Sequence, residues 1–242
     1  MTPAERAAFF TVHRDLPREG PGEAADVHWA LSQLDLSGAV DVLDAACGPG
    51  ADLVTLAEAL PEARITGIEK VPQFAKSART ALARFGPRVT VKEADMTRLD
   101  HSYDLIWCAG ALYFLGVTEG LQGWRSALNP GGAVAFSEPV LPDTPPGAAV
   151  MAFWQEYPQI TDLNGLRDRV VAAGYAVRAQ RMIVGAPWAA YYTPMQARID
   201  MLRRQDPDAA LRAALDENQR EIDRWRAAPE QIAYALVIAV PE

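Results

Sequence analysis

Residues 42–58 read VLDAACGPGADLVTLAE and contain the transition on which the fold depends. An apolar, partly β-branched run typical of an inner strand comes first, and Asp44 ends it. Gly48-Pro49-Gly50 then predicts a tight turn, in which no Cβ obstructs a close approach of the backbone. Leucines at helical spacing follow, so the stretch predicts a strand, a turn and a helix. Free N–H groups at such a helix start favour a ligand there.

Strands and helices alternate along the remainder of the chain. We predict strands at residues 39–44, 64–69, 89–93, 103–108, 133–137, 176–184 and 233–240. Helical segments separate most of them, and two helices, at residues 2–12 and 23–34, precede the first strand. This rhythm indicates an α/β fold with a doubly wound, mostly parallel sheet and right-handed crossovers.

The chain is expected to form a single domain over residues 1–242, because no linker or internal repeat divides it. Residues 1–37 are predicted to form a helical cover at the N-terminus, and residues 38–140 a ligand-binding core. Residues 186–228 are predicted to form a helical cap that is inserted before the last strand. The apolar stripe of that insertion is typical of packing against the domain.

Three local signals predict where elements begin or turn. Thr2 is placed as the N-cap of the first helix, with Glu5 at the capping-box position. Residues 129–132, Asn-Pro-Gly-Gly, predict a turn before the fifth strand. Asp206-Pro207 predicts the start of the second cap helix, since an acid followed by proline is typical of a helix N-terminus.

Composition and charge exclude several classes of function. The chain has 23 Lys and Arg against 31 Asp and Glu, a net charge of −8, which disfavours a nucleic-acid partner. Cys47 and Cys108 are expected to be reduced thiols of a cytoplasmic protein. We expect neither a signal peptide nor a membrane segment, because no apolar run is long enough. No spacing of His, Cys and carboxylates predicts a metal site.

Five features in order make the glycine turn more specific. They are Asp44 with Gly48-Pro49-Gly50, Glu69, Ala94-Asp95-Met96, Tyr103-Asp104-Leu105 and Asn129-Pro130-Gly131-Gly132. This set resembles the class I S-adenosylmethionine-dependent methyltransferases, by motif over residues 38–140 and by topology elsewhere. Residues 16–22, LPREGPG, look like the N-terminal segment of a group of bacterial small-molecule-type methyltransferases. The resemblance implies a Rossmann-like, seven-stranded, mostly parallel sheet whose last strand is antiparallel.

The resemblance also implies a cofactor, S-adenosyl-L-methionine, and the residues that hold it. These would be Arg18, Asp44, Ala46, Gly48, Pro49, Gly50, Glu69, Lys70, Asp95, Met96, Cys108, Ala109 and Gly110. Arg18 would pair with a carboxylate, either that of the cofactor or that of the substrate. Glu69 would accept hydrogen bonds from both ribose hydroxyls, and Asp95 one from the adenine amino group. The first glycine of the family is Ala46 here, so we expect a shifted backbone at this position.

The methyl acceptor implied by the resemblance is a small molecule. Tyr113, Trp188, Tyr191 and Tyr192 would form the wall of its pocket. A general base is needed only if the nucleophile arrives protonated, and the candidates are Glu138, His13 and Tyr113. The exit of the fourth strand lacks the Asn/Asp-Pro-Pro-aromatic pattern of enzymes that methylate DNA amino groups, and it lacks a Pro-Cys nucleophile.

Two other interpretations remain open from the sequence. A nicotinamide-dependent oxidoreductase shares the strand, the glycine turn and the acid at position 69, but GPGADL lacks the third glycine of GxGxxG. A non-catalytic protein that binds S-adenosylmethionine would use the same fold. The last helices would serve either as a lid or as the interface of a homodimer.

Overall fold

The computed structural model describes residues 1–142 and 145–242, and these residues contain one seven-stranded sheet. Its strands are β1 (Asp41–Ala45), β2 (Arg64–Glu69), β3 (Val89–Glu93), β4 (Tyr103–Ala109), β5 (Leu128–Val140), β6 (Tyr175–Ile183) and β7 (Ala233–Pro241). The order across the sheet is β3-β2-β1-β4-β5-β7-β6. The first five strands are parallel, and β7 runs antiparallel to both β5 and β6. The prediction of a Rossmann-like doubly wound sheet is therefore confirmed.

Helices cover both faces of this sheet. They are α1 (Pro3–Val12), α2 (Ala24–Ser32), α3 (Ala51–Ala59), α4 (Pro72–Leu82), α5 (Val117–Trp124), α6 (Ala148–Phe153), α7 (Leu163–Ala172), α8 (Ala186–Arg203) and α9 (Ala209–Arg226). The capping box of α1 forms as predicted, because Thr2 Oγ1 accepts from the Glu5 N–H and Glu5 accepts from the Thr2 N–H. None of the helices in the described ranges is long and apolar enough to cross a membrane.

The core consists of two apolar layers, one on each face of the sheet. Val42 belongs to the layer that contains α2, α3, α8 and α9, whereas the next residue, Leu43, belongs to the layer under α5 and α7. This alternation follows from the pleat of a strand that is covered on both sides. Leu215 and Ile222 of α9 are fully buried, so the apolar stripe of the insertion is used for packing.

The predicted turn at residues 129–132 is instead part of a long β5. That strand begins at Leu128 opposite Tyr103, and its register shifts before the next pair. Gly131 lies in the left-handed region at φ +82°, and the Asn129 amide donates to Asp104 Oδ1 at 2.9 Å. The glycines do allow an irregular backbone, but the irregularity is a bulge within the sheet and not a loop.

The start of α9 also differs from the prediction. Asp208 is the N-cap, and its Oδ1 accepts from the Leu211 N–H at 2.8 Å. Asp206, the predicted cap, lies two residues earlier with φ +48°, in the connection between the two cap helices. An acid that precedes the first helical turn occurs at both positions, so the sequence is compatible with a helix start at residue 206 or at residue 208. The left-handed backbone at Asp206 places the start at Asp208.

The N-terminal residues and the inserted helices form one roof over the carboxyl ends of the strands. Helix α1 packs against α8 and α9, and Arg198 Nη2 of α8 donates to the Thr11 carbonyl at 3.0 Å. The Gly22 N–H donates to the Pro187 carbonyl at 3.1 Å. Segments almost 200 residues apart in sequence therefore close the same side of the domain.

The turn after β1 is built on three residues with positive φ. Ala46 has φ +64°, Gly48 has φ +54°, and Gly50, the N-cap of α3, has φ +95°. A Cβ on Gly50 would lie 3.1 Å from the Ala78 side chain, so glycine is needed there for space as well. The expected irregularity at Ala46 is thus a left-handed alanine, which costs free energy relative to glycine.

We therefore predict that Ala46→Gly raises the free energy of unfolding by about 1 kcal/mol, because it removes the Cβ strain of a left-handed residue. Ala45→Gly is the matched control: Ala45 is buried at the end of β1, so its substitution should lower the stability. Urea denaturation at constant pH measures both effects. Equal destabilisation by the two substitutions would contradict the left-handed conformation of Ala46.

Candidate active site

A cavity of about 930 Å³ lies beneath the roof, at the carboxyl ends of β1, β2, β3 and β4. Open α/β sheets bind their ligands at this edge. Residues after the strands form its floor, and α1 with residues 13–21 forms one wall. Tyr191 of α8 together with Asn218 and Glu221 of α9 forms the opposite wall.

Asp44, the last polar residue of β1, is buried on the floor of this cavity. It is 2% exposed, and among the residues that the structure describes no group forms a hydrogen bond with its Oδ2 atom. Burial raises the pKa of this carboxyl well above its ordinary value, and the nearby charges of Asp52 and Glu69 add to the shift, while Arg18 opposes it. A buried carboxyl without a partner is unfavourable by itself, so this position is suited to a cationic ligand group.

Glu69 holds two adjacent strand-to-helix turns together. Its Oε2 accepts from the Gly48 N–H at 2.9 Å, and its Oε1 accepts from the Val71 N–H at 2.7 Å. Each carboxylate oxygen has a second lone pair, so the side chain is still able to accept from hydroxyl groups in the cavity. It lines that cavity and is 7% exposed.

Lys70 and Asp95 lie together at the outer rim. The Lys70 ammonium is 3.1 Å from Asp95 Oδ2, and the backbone N–H and hydroxyl of Thr97 donate to Asp95 Oδ1 at 3.0 and 2.8 Å. The two bonds from Thr97, followed by the ion pair, lower the pKa of Asp95 to about 2. The Trp124 indole N–H supports the same loop through the Met96 carbonyl at 2.8 Å.

Arg18, from the LPREGPG segment, is anchored to the first turn of α3. Its Nη2 atom lies 2.7 Å from Asp52 Oδ1, and the Trp107 indole N–H donates to Asp52 Oδ2 at 3.0 Å. Arg18 also donates to the Gly20 carbonyl at 3.2 Å. The sequence identified Arg18, but it did not identify Asp52 and Trp107 as its anchor. An acid in the first turn of a helix was the only available signal.

His13 and Glu19 form a second pair at the wall. His13 Nδ1 lies 2.6 Å from Glu19 Oε2, and the Phe9 ring stacks on the imidazole at 4.1 Å between centroids. His13 is 5% exposed, and its Nε2 atom has no partner within the described part of the chain. Burial raises the pKa of Glu19, while the contact with His13 opposes the shift. The sequence pointed to the histidine but not to the glutamate, whose partner and burial depend on the fold.

The structure brings most of the predicted residues to the cavity wall. Those that line it are His13, Arg18, Asp44, Ala46, Gly48, Pro49, Glu69, Lys70, Asp95, Met96, Ala109, Gly110, Tyr113 and Tyr191. Within the described part of the chain, no group of three His, Cys, Asp or Glu residues is arranged to hold a metal ion.

Five predicted residues lie away from the wall. Gly50 supports the turn from behind, and Cys108 is fully buried in the core. Trp188 and Tyr192 are 2% and 1% exposed and pack together in an aromatic core cluster. Of the four aromatic residues predicted for the pocket wall, these two therefore lie in the core. Glu138 is completely buried, and its Oε1 accepts from the Tyr157 hydroxyl at 2.6 Å.

Comparison with known proteins gives two kinds of similarity. Residues 42–132 match the profile of a family described as "Methyltransferase domain". The chain is 30% identical to trans-aconitate 2-methyltransferase of Paracidovorax citrulli over 154 residues, 60% of this chain and 57% of that protein. It is 34% identical to the Streptomyces avermitilis protein of the same name over 113 residues, 43% of this chain and 40% of that protein. The chain thus spans about half the length of these relatives.

A solved structure resembles the whole chain. It is the S-adenosylmethionine-dependent methyltransferase of Geobacter sulfurreducens in complex with S-adenosylhomocysteine. The TM-score is 0.83 at 21% identity, and the match covers 100% of this chain and 99% of that chain. This likeness shows the fold, including the helical roof, which the shorter profile match does not reach.

Buried Glu138 predicts a specific dependence of stability on pH. Burial raises its pKa to about 7, and the hydrogen bond from Tyr157 opposes the shift. The pKa of Glu138 in the folded state lies above the ordinary 4.5. Its neutral carboxyl therefore contributes fully to the free energy of unfolding below pH 4.5, and this contribution is lost as the pH rises through 7. We expect the free energy of unfolding to fall by about 3 kcal/mol over that interval because of this group.

Glu138→Gln should remove this loss, and urea unfolding measured from pH 4.5 to 8 tests it. The matched control is Glu62→Gln at an exposed site outside the cavity, which should keep the wild-type dependence on pH. A Glu138→Gln variant with an unchanged slope would show that another group is responsible.

Proposed function

We propose that this protein is an S-adenosylmethionine-dependent methyltransferase that acts on a small molecule. The observation that carries the proposal is the buried carboxyl of Asp44 beside the glycine turn, whose Oδ2 atom lacks a partner in residues 1–142 and 145–242. It lies inside the segment that matches the methyltransferase profile. S-Adenosylmethionine has an ammonium group, which is the partner that such a carboxyl lacks. The trans-aconitate methyltransferases and the structural neighbour with S-adenosylhomocysteine support the same reading.

The cavity residues fit the other parts of this cofactor. Glu69 would accept from the ribose hydroxyls with the lone pairs that Gly48 and Val71 leave unused. Asp95 and Met96 would meet the adenine at the rim. The backbone of residues 46–50, together with Ala109 and Gly110, would run along the methionine part.

When bound, the cofactor would supply an electrophilic methyl group on a sulfonium. The protein itself would align the acceptor and exclude water from the cavity. Tyr113 and Tyr191 would flank the acceptor, and His13, through its free Nε2 atom, is the best-placed group to take a proton. Glu138 lies behind this wall and would act only through its neighbours. A cytoplasmic location and a monomeric or homodimeric state are part of the same proposal.

The nicotinamide-dependent oxidoreductase is disfavoured by charge. A dinucleotide would carry its pyrophosphate to the glycine turn, where Asp44, Asp52 and Glu69 lie together and Arg18 is the counter-charge. A non-catalytic protein that binds S-adenosylmethionine would use the same residues, and only a test of methyl transfer separates the two.

We predict that Asp44→Asn weakens the binding of S-adenosylhomocysteine at least tenfold, about 1.4 kcal/mol, because it removes the charge that faces the ligand ammonium. Isothermal calorimetry measures the affinity. Asp41→Asn at the other end of β1, a surface residue paired with Arg64, should bind like the wild type. Unchanged affinity in Asp44→Asn would remove this residue from the site. Binding of NAD without binding of S-adenosylhomocysteine would contradict the proposed function.

A further inference from the structure

The charged residues on the cavity wall are mostly acidic. Of the residues that the structure describes, eight with carboxylate side chains line it: Glu19, Asp44, Asp52, Glu69, Asp95, Glu156, Glu217 and Glu221. Against them are the guanidinium of Arg18, the ammonium of Lys70 and the imidazole of His13. The cavity therefore attracts cations and repels anions.

The two basic side chains of the cavity wall, Arg18 and Lys70, each form an ion pair with a carboxylate of the same wall. Arg18 lies 2.7 Å from Asp52, and Lys70 lies 3.1 Å from Asp95. Among residues 1–142 and 145–242, no other lysine or arginine lines the cavity. A carboxylate on the acceptor would therefore find no free cation with which to pair.

Five of these carboxylates have a partner or an assigned role. Asp52, Asp95 and Glu19 are paired with Arg18, Lys70 and His13, and the cofactor of the proposed function, itself a cation, accounts for Asp44 and Glu69. The remaining three are Glu156 after α6 and Glu217 and Glu221 on α9. Glu156 and Glu217 are exposed, so water screens their charges. Glu221 is partly buried and therefore has the strongest effect on a ligand.

Glu221 is held in place by a neutral hydrogen-bond donor. Its Oε1 accepts from the Tyr192 hydroxyl at 2.7 Å, which fixes the carboxylate at the wall. Over the ranges that the structure covers, no lysine, arginine or histidine forms an ion pair with it. Burial raises the pKa of Glu221, and the hydrogen bond from Tyr192 and the charge of His13 oppose the shift. A cation bound beside Glu221 would offset the free-energy cost of burying its charge. The rings of Tyr113 and Tyr191 line the same cavity and offer faces that attract cations.

The free nitrogen of His13 points independently to a ligand that donates a proton. His13 is more than nine-tenths buried and lines the cavity, and no residue of the ranges 1–142 and 145–242 is a partner for its Nε2 atom. When Nδ1–H is donated to Glu19, Nε2 is left as an acceptor. A buried acceptor of this kind requires a donor, and the N–H of an amine would supply one.

We propose that the methyl acceptor is a small amine, which enters as a cation and binds between Glu221, Tyr113 and Tyr191. This inference rests on the proposed function and names the substrate class of the same site. His13 Nε2 takes one proton from the ammonium, which frees the nitrogen lone pair for the new N–C bond. The C–S bond breaks and leaves its electron pair on sulfur, so the amine leaves methylated and His13 releases its proton to solvent.

The test is calorimetric binding of a matched ligand pair to the protein saturated with S-adenosylhomocysteine. Phenethylamine and 3-phenylpropanoate have the same ring and tether but opposite charge, and trans-aconitate serves as a polycarboxylate. We expect phenethylamine to bind at least tenfold more tightly than either anion. Glu221→Gln keeps the acceptor for Tyr192 and should weaken amine binding at least tenfold. Glu62→Gln, an exposed residue away from the cavity, should leave it unchanged.

Circular dichroism of Glu221→Gln confirms that the variant is folded, and Glu156→Gln at the exposed rim provides a second variant with a smaller expected loss. Anions that bind as tightly as the amine, no binding of the amine, or full amine affinity in folded Glu221→Gln would each overturn the amine assignment while the proposed function stands. Failure of the wild-type protein to bind S-adenosylhomocysteine would overturn the proposed function, and the amine assignment with it.

Discussion

The carboxylate of Glu69 joins the two turns from which the cavity is built. It accepts the Gly48 N–H from the turn after β1 and the Val71 N–H from the turn after β2. These turns start α3 and α4, so one buried side chain sets how two helices leave the sheet. Charge-assisted bonds to backbone N–H groups are about twice as strong as neutral ones, so they hold the glycine turn in place beside the cavity. The left-handed Ala46 is tolerated because the surrounding contacts determine this backbone.

The same construction concentrates negative charge. Asp44, Asp52 and Glu69 lie close enough that the last two raise the pKa of the first, and Arg18 is the cation that opposes them. Arg18 comes from the N-terminal segment. The Gly22 N–H of this segment donates to the Pro187 carbonyl of α8, so the segment is also attached to the inserted helices. The roof therefore has an electrostatic role as well as a steric one. A domain without it would expose the acidic floor to water and lose the counter-charge.

Local patterns were sufficient for most of the fold. The bounds of β2 and β3 follow directly from short apolar runs between charged residues and turns. The bulge in β5 was read as a turn because Pro-Gly-Gly has the same composition in both settings. The predicted residues directly after the strands line one cavity, because topology alone brings the carboxyl ends of neighbouring strands together. Trp188 and Tyr192 were misplaced because aromatic residues at helical spacing look alike in a core and on a wall. Glu19 and Glu221 were missed because their importance depends on burial and on partners distant in the chain.

A crystal structure of the protein with S-adenosylhomocysteine would show directly whether Asp44 and Glu69 hold the ligand. We expect the ligand amino group within hydrogen-bond distance of Asp44, directly or through one water, and the ribose hydroxyls on Glu69. We also expect the wall formed by Tyr113, Tyr191 and Glu221 to stay free for the acceptor. A ligand bound elsewhere, or one whose carboxylate faces Asp44, would contradict this assignment.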